Sequence, residues 1–153
     1  MKKSFLISTT ILLVSFIGSA QNVNLVIQVN EKLVVGSISG MYLLLDSGPL
    51  AKQIPVSYVP GDLLISKAAW TIINSDTTNK LSLHFNYNTY LKKNEETAFY
   101  VNLTREQLTQ PYLLLNIYDF RNKKYRKWYQ WHTDKNFLAE LRYPNSGVYI
   151  RKG

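Results

Sequence analysis

Apolar and polar side chains alternate without a break along residues 81–89, and no other feature of the sequence constrains the fold as much. One face of this segment is apolar and the other is polar, the two sets being Leu81, Leu83, Phe85 and Tyr87 against Ser82, His84, Asn86 and Asn88. Successive side chains of a β-strand point to opposite faces, so a period of two is typical of a strand buried on one side only. We therefore expect a sheet that covers a core, with His84 as an ordinary residue of its solvated face.

Short segments of the same kind, separated by turn residues, run along most of the chain. The other predicted strands are Val23–Val29, Leu33–Leu45 with a break at Gly36 or Gly40, Ile54–Val59, Trp70–Ile73, Ala98–Leu103, Tyr112–Phe120, Tyr125–His132, Phe137–Tyr143 and Val148–Arg151. Many short strands with turns every 8–12 residues or so are typical of β-sandwiches and small barrels. The sequence predicts an all-β fold, an antiparallel β-sandwich with Ig-like topology, with a small closed β-barrel as the alternative.

One segment carries a helical signal. Thr104-Arg105-Glu106-Gln107 has the form of a capping box, in which the first and fourth residues satisfy each other's backbone N–H groups. Pro111 follows closely and cannot continue a helix. We expect a single helical turn between two strands.

The N-terminal segment has the three parts of a secretory signal peptide. Lys2 and Lys3 precede an uncharged stretch from Phe5 to Ile17, and the small residues Gly18-Ser19-Ala20 come next. The apolar stretch is short for a membrane anchor, which needs roughly 20 residues. The leader resembles those of Gram-negative bacteria, which implies a periplasmic, outer-surface or secreted protein with no transmembrane segment after cleavage. Residues 1–20 are thus predicted to be a signal peptide and residues 21–153 a single domain without cysteine.

Charge is distributed unevenly along the chain. Residues 121–153 contain nine Lys and Arg against two carboxylates, whereas residues 21–120 contain seven against eight. A basic C-terminal third favours an anionic partner, such as an anionic glycan or an acidic protein surface in the cell envelope, although such charge can also serve solubility alone. No nucleic acid is expected as a partner.

No catalytic, metal or cofactor motif is present in usable form. The stretch from Gly36 to Gly40 resembles a hydrolase elbow, but its central residue is Ile38 and not a serine, so we interpret the glycines as a bulge or kink. His132 and Asp134 are too few for a metal site, which needs three or four converging ligands. We expect a protein that is not an enzyme, with no cofactor and no metal.

The most distinctive constellation is the aromatic segment 112–132. If residues 112–120 and 125–132 form a β-hairpin about the Arg121–Lys124 turn, Ile117 and Trp128 share a core face. The opposite face then carries the candidate ligand-binding residues Asn116, Tyr118, Lys127, Tyr129 and Trp131. Rigid aromatics with polar edges suit a sugar or a protein partner. The alternative is that these aromatics simply fill the core between two sheets.

These observations favour an exported, non-enzymatic binding or envelope-assembly module. The first alternative is a polysaccharide-binding domain that uses the aromatic hairpin. A hydrolase of unfamiliar type is less favoured, because no converging acid, base and nucleophile can be named.

The first prediction concerns processing of the leader. The intact mass of the exported protein should correspond to residues 21–153, beginning at Gln21 or its cyclised form, because Gly18 and Ala20 suit the −3 and −1 positions of a cleavage site. Mass spectrometry of the exported fraction checks this. Retention of residues 1–20 in a membrane fraction would contradict it.

Overall fold

The computed structural model describes residues 21–45, 51–75, 80–89, 95–147 and 150–152, and the predicted signal peptide lies outside them. The strands of these ranges are β1 (Gln21–Val29), β2 (Lys32–Leu33), β3 (Ile38–Leu45), β4 (Lys52–Pro55), β5 (Ser57–Val59), β6 (Gly61–Ile65), β7 (Leu81–Thr89), β8 (Glu95–Leu103), β9 (Leu113–Asp119) and β10 (Phe137–Arg142). The helices are α1 (Lys67–Ser75), α2 (Arg105–Leu108) and α3 (Lys123–Tyr129), and a 3-10 turn at Gln130–His132 follows α3.

The strands form two sheets that pack against each other, which confirms the predicted β-sandwich architecture. Sheet A has the order β10-β9-β1-β6-β5, with β2 beside β1, and sheet B has the order β4-β3-β7-β8. Among the strand pairs of the described residues, β1 and β9 are parallel and the others are antiparallel, so the sandwich is not antiparallel throughout as predicted.

The core lies between the inner faces of the two sheets. Sheet A contributes alternate residues of β1, and sheet B contributes the apolar face predicted for 81–89, of which Leu81, Leu83 and Phe85 are buried. Burial of apolar side chains stabilises the fold by about 25 cal/mol per Å². Strand β7 has the predicted bounds, so the period-two interpretation of this segment is confirmed.

One lateral side of the sandwich is closed by continuous chain. Strand β4 belongs to sheet B and β5 to sheet A, and a single residue, Val56, separates them. The Val56 N–H donates to the carbonyl of Met41 at 3.3 Å, which fixes the crossing point. On the opposite side, β8 and β10 end the two sheets, and no strand of the described residues pairs with their outer edges.

The glycines singled out in the sequence mark an irregularity in β3. The predicted strand Leu33–Leu45 is split into β2 and β3, and the register with β7 shifts between Ser39 and Tyr42. Gly40 lies at this shift with a φ of +58°, a conformation that glycine adopts at little cost. The interpretation of this stretch as a bulge is confirmed.

The single helical turn predicted at Thr104 is confirmed as α2. The Thr104 side chain accepts from the N–H of Gln107, and the Gln107 side chain accepts from the N–H of Thr104 at 2.8 Å. Both bonds of the capping box are therefore present.

Two predicted strands are wrong within the described ranges. A further one, Val148–Arg151, lies partly outside them, and its described residues Ile150 and Arg151 do not belong to a strand. Trp70–Ile73 lies inside α1, whose first turn is capped by the Ser66 side chain, which accepts from the N–H of Ala69 at 3.2 Å. Tyr125–His132 forms α3 and the 3-10 turn, so the predicted hairpin does not exist. A short apolar run is compatible with either a strand or a buried helix. In both segments the N-terminal side-chain cap favours the helix.

Helix α3 covers the outer face of sheet A. Its buried residues Tyr125 and Tyr129 are four positions apart and so face the same way. They pack on Tyr118 and Phe120 in a second apolar cluster. None of the helices in the described ranges is long and apolar enough to cross a membrane.

A second prediction follows from the different burial of two aromatics that the hairpin would have placed on one face. Tyr129 is 2% exposed and Trp131 is 66% exposed. Tyr129→Ala should lower the free energy of unfolding by about 3–5 kcal/mol because it leaves a cavity. Trp131→Ala should lower it by about 1 kcal/mol or less. Urea unfolding measures both, and equal losses would contradict the placement of α3.

Candidate functional site

The structure divides the five residues of the predicted ligand-binding face. Asn116 and Tyr118 of β9 and Tyr129 of α3 are buried, whereas Lys127 and Trp131 are exposed. The exposed ladder predicted from the hairpin is therefore wrong as a single surface. The reason is the helical period of α3, which turns Tyr129 inward against the sheet.

Two of these buried residues, Asn116 and Tyr118, donate to the carboxylate of Glu140. Glu140 Oε2 accepts from Arg142 at 2.8 Å and from Asn116 and the Tyr118 hydroxyl at 3.4 Å each. Its other oxygen accepts from the N–H of Ile150 at 3.2 Å, which ties the C-terminal segment to sheet A. A buried carboxylate is stable when it is paired and hydrogen-bonded in this way.

Burial and the nearby charge of Glu140 both raise the pKa of Tyr118 above its ordinary value, so its hydroxyl stays protonated and donates to the carboxylate. A cavity of about 310 Å³ adjoins this network and is lined by Asn116, Tyr118 and Tyr129 among others. The network ties the C-terminal segment to sheet A through Glu140, and Tyr129 of α3 packs on its Tyr118.

The outer face of sheet B carries an aromatic row that the sequence did not reveal. The registers of the four strands align Pro55, Tyr42, His84 and Tyr100 in one line across the sheet. The His84 ring lies between the two tyrosines, with ring centroids 4.9 Å from Tyr42 and 5.6 Å from Tyr100 and interplanar angles of 8° and 16°. These separations are close to the spacing of neighbouring strands, about 4.8 Å, so the rings stack along the row and turn their edges to solvent.

Amide and hydroxyl side chains flank the aromatic row. Ser82 and Asn102 stand beside His84 and Tyr100 in the neighbouring cross-strand row. These four residues, together with Leu44, line a shallow depression of about 580 Å³. Its volume lies within the range usual for small-ligand sites, about 300–1,000 Å³.

His84 is held in a defined position within this depression. Its Nε2 and the Ser82 hydroxyl are 2.8 Å apart, and stacking on both sides fixes the ring plane. Burial lowers the pKa of His84, because a partly desolvated imidazole resists protonation. The ring is therefore neutral at neutral pH and offers a hydrogen-bonding edge without a charge.

The centre of this face is uncharged, unlike the C-terminal third of the chain. Lys80 lies at one rim of the depression. At the free edge of the sheet, the Lys135 ammonium lies 4.0 Å from the centre of the Tyr100 ring. Cations therefore border the site, whereas the groups at its centre are phenol, imidazole, hydroxyl and amide.

The signal for this site was present in the sequence only in part. The polar face of residues 82–88 was recognised, but His84 was taken as a solvated residue, whereas it is half-buried between tyrosines. Tyr42 and Tyr100 come from other strands, and only the registers of β3 and β8 against β7 bring them together. No local pattern encodes such a register.

The described residues contain no group of three or more His, Asp or Glu side chains arranged to hold a metal ion. Comparison with known proteins gives no further indication: no family model matches the sequence, and neither a curated protein nor a solved structure is significantly similar to it.

A third prediction concerns the pH dependence of stability. Since the pKa of folded His84 lies below the ordinary value of 6.5, the unfolded chain binds its proton more readily. The stabilisation from neutral His84 is complete above about pH 6.5 and is lost as the pH falls below it. Urea unfolding between about pH 5 and 8 should show this decline, and His84→Gln should reduce it.

The control is His132→Gln, which removes the other histidine of the chain and leaves the aromatic row intact. It should keep the decline seen in the unmodified protein. A decline that survives in His84→Gln and disappears in His132→Gln would contradict the assignment.

Proposed function

We propose that this chain is an exported, non-enzymatic binding module that recognises a neutral glycan on the outer face of sheet B. The observation that carries the proposal is the stacked row of Tyr42, His84 and Tyr100, flanked by Ser82 and Asn102. Export rests on the N-terminal leader alone. The proposal moves the recognition surface from the predicted aromatic hairpin to a sheet face.

A glycan suits the chemistry of this face. Sugar hydroxyls both donate and accept hydrogen bonds. Amide, hydroxyl and neutral imidazole groups can likewise act as donors and as acceptors. The depression has Asn102 and Ser82 on one side and the ring edges of His84 and Tyr100 on the other. Among the described residues, a charged ligand would find no counter-ion at the centre of the face, and the cations Lys80 and Lys135 lie near its borders.

The side chains of the site are already ordered. Stacking fixes the planes of the Tyr42, His84 and Tyr100 rings, and the Ser82 contact fixes the orientation of the imidazole. A surface that loses little side-chain freedom on binding retains more of its interaction energy as affinity. This pre-organisation favours a binding role over a merely solvated sheet face.

A non-enzymatic role is favoured over a hydrolase. The Ser82–His84 pair has the residue types of a nucleophile and a base. In a triad, however, a third group orients the base, and the neighbours of the His84 ring are two tyrosines.

We also retain the Ig-like topology as a proposal, supported by two packed sheets of mainly antiparallel strands.

The fourth prediction tests the glycan site. The purified protein should bind one or more neutral polysaccharides in a panel of dextran, mannan, xylan and β-glucan, measured by affinity gel electrophoresis and then by calorimetry. Tyr100→Ala and Asn102→Ala should each weaken binding by roughly tenfold or more, because each removes a ring edge or a hydrogen-bonding amide from the depression. Circular dichroism confirms that the variants are folded.

Tyr112→Ala is the matched control, since Tyr112 is an exposed tyrosine of the segment before β9 and lies outside sheet B. It should bind like the unmodified protein. Salt separates this proposal from the alternative of an anionic glycan on the basic C-terminal third: binding to the neutral face should change little with ionic strength. Failure to bind any neutral glycan, or binding that Tyr100→Ala and Asn102→Ala leave intact, would overturn the proposal.

A further inference from the structure

The sandwich is open along the side where β8 ends sheet B and β10 ends sheet A. Two adjoining hollows lie along β8 on this side. One, of about 290 Å³, separates Val101 and Asn102 from β10. The other, of about 650 Å³, separates Thr97 and Ala98 from α3 and the segment before β10. Together they form a groove that follows the length of the strand, which we call the β8 groove.

The register shows which backbone groups of β8 face this groove. The Asn88 N–H donates to the carbonyl of Ser37 at 2.8 Å, so the even-numbered residues of β7 direct their backbone groups toward β3. The odd-numbered residues of β7 therefore bond to β8, and their partners, such as Phe99 and Val101, are the odd-numbered residues of β8. The even-numbered residues Ala98, Tyr100 and Asn102 consequently direct their N–H and C=O groups outward into the groove.

A second hydrogen bond leads to the same assignment of which residues direct their backbone groups toward which neighbouring strand. The carbonyl of Met41 accepts from Val56, so beyond the register shift the odd-numbered residues of β3, such as Leu43, face away from β7. Tyr42, which is next along β3, faces β7 and pairs with His84, as the first observation requires. The outward direction at Ala98 thus rests on two independent hydrogen bonds.

In its own sequence strand β8 lacks the features that usually protect a free edge, and the cover that the fold supplies is the Phe137 ring, whose centroid lies 5.0 Å from that of Phe99 and 5.6 Å from that of Tyr100. Proteins block such edges with proline, lysine or a bulge. From Thr97 to Leu103 the strand has no proline and no charged residue, and its pairing with β7 shows no register shift. Within the described residues no strand pairs with this edge. The edge is a template for one more strand.

The wall opposite β8 is basic. Arg121, Arg126 and Lys135 line the wider hollow. Arg121 is paired with Asp119 at 2.7 Å and with Glu95 at 3.4 Å, so Arg126 and Lys135 supply the positive charge of the wall. Lys135 lies beside the Tyr100 ring, where a side chain of an added strand would continue the aromatic row. A carboxylate at that position would meet the Lys135 ammonium. This charge favours an acidic segment over a neutral or basic one.

An exposed aromatic anchor lies at one end of the β8 groove. His132 lines the narrower hollow, and the Trp131 ring stacks on it with a centroid separation of 3.5 Å. Trp131 is 66% exposed although its Nε1 donates to the carbonyl of Trp128. Tryptophans held rigidly at the surface are typical centres of protein interfaces.

We propose that the β8 groove binds an extended, acidic segment of a partner protein, which adds to sheet B as a fifth strand. Backbone bonds to Ala98, Tyr100 and Asn102 would supply affinity, and carboxylates that face Arg126 and Lys135 would supply selectivity. This proposal does not depend on glycan binding, because it uses the edge of the sheet rather than its face.

The fifth prediction tests the groove with a labelled synthetic peptide of about seven residues that alternates glutamate and valine, a usual strand length. The protein should bind this peptide in fluorescence anisotropy, and a peptide with lysine in place of glutamate should bind at least about tenfold more weakly. Lys135→Glu and Arg126→Glu should weaken binding of the acidic peptide, most strongly at low salt.

The decisive pair of variants is Ala98→Pro and Ala98→Val. Proline removes the outward N–H of residue 98 and leaves the ladder with β7 intact, as expected for an edge position. Valine keeps that N–H and favours a strand. Ala98→Pro should reduce peptide affinity at least about tenfold, since a backbone bond is lost and the ring obstructs the edge. Ala98→Val should bind normally, and urea unfolding should show that both variants are folded.

Hydrogen exchange gives an independent readout, because the peptide should protect the amides of Tyr100 and Asn102. Unchanged peptide binding by Ala98→Pro, or equal binding of the lysine peptide, would overturn the proposal. Absence of peptide binding together with a dimer that Ala98→Pro dissociates in analytical ultracentrifugation would also overturn it and identify a second copy of the chain as the occupant.

Discussion

Strand β1 pairs along both of its edges, and this arrangement holds sheet A together. On one edge it pairs with β6 and then with β2, and on the other it pairs in parallel with β9. Its alternate residues Val23, Leu25, Ile27 and Val29 are at most 3% exposed. The parallel pair joins residues separated by almost ninety positions in sequence. The long segment between β1 and β9 is therefore closed into a loop only when this pair forms. Such non-local pairing is slow to form, and the apolar face of β1 offsets the entropy lost in closing the loop.

The turn that follows β1 links the strand to the layer above it. Asn30 and Glu31 both have positive φ, as a tight two-residue hairpin between β1 and β2 requires. The Asn30 side chain accepts from the N–H of Asp119, and its carbonyl accepts from the Tyr125 hydroxyl at 3.0 Å. Helix α3 is thereby fixed over the outer face of sheet A. The outer face of sheet B has no such cover among the described elements. It is therefore the sheet face that a ligand can reach.

What the sequence predicted depended on whether the signal was local. Strand β7 and the capping box of α2 were predicted with correct bounds, because alternation and capping are both contained in a few consecutive residues. Helix α3 was missed because Tyr125, Trp128 and Tyr129 suit a strand by composition, and the cap at Asn122 was the signal that could have decided. The stacked row of sheet B could not be predicted at all. Its rings come from three strands, and the registers that align them depend on the bulge at Gly40 and on contacts across the whole sheet.

Tyr100 belongs to both proposed surfaces, and this makes them physically connected. Its ring ends the row on the face of sheet B, whereas its backbone N–H and C=O belong to the edge. A strand added to β8 would order that edge, and its side chain beside Tyr100 would continue the row in place of Lys135. This ordering favours the second ligand, because part of the ordering entropy has already been lost. If both surfaces are used, the coupling between them is therefore positive, and since linkage is reciprocal a glycan bound at the face would strengthen strand addition at the edge by the same factor.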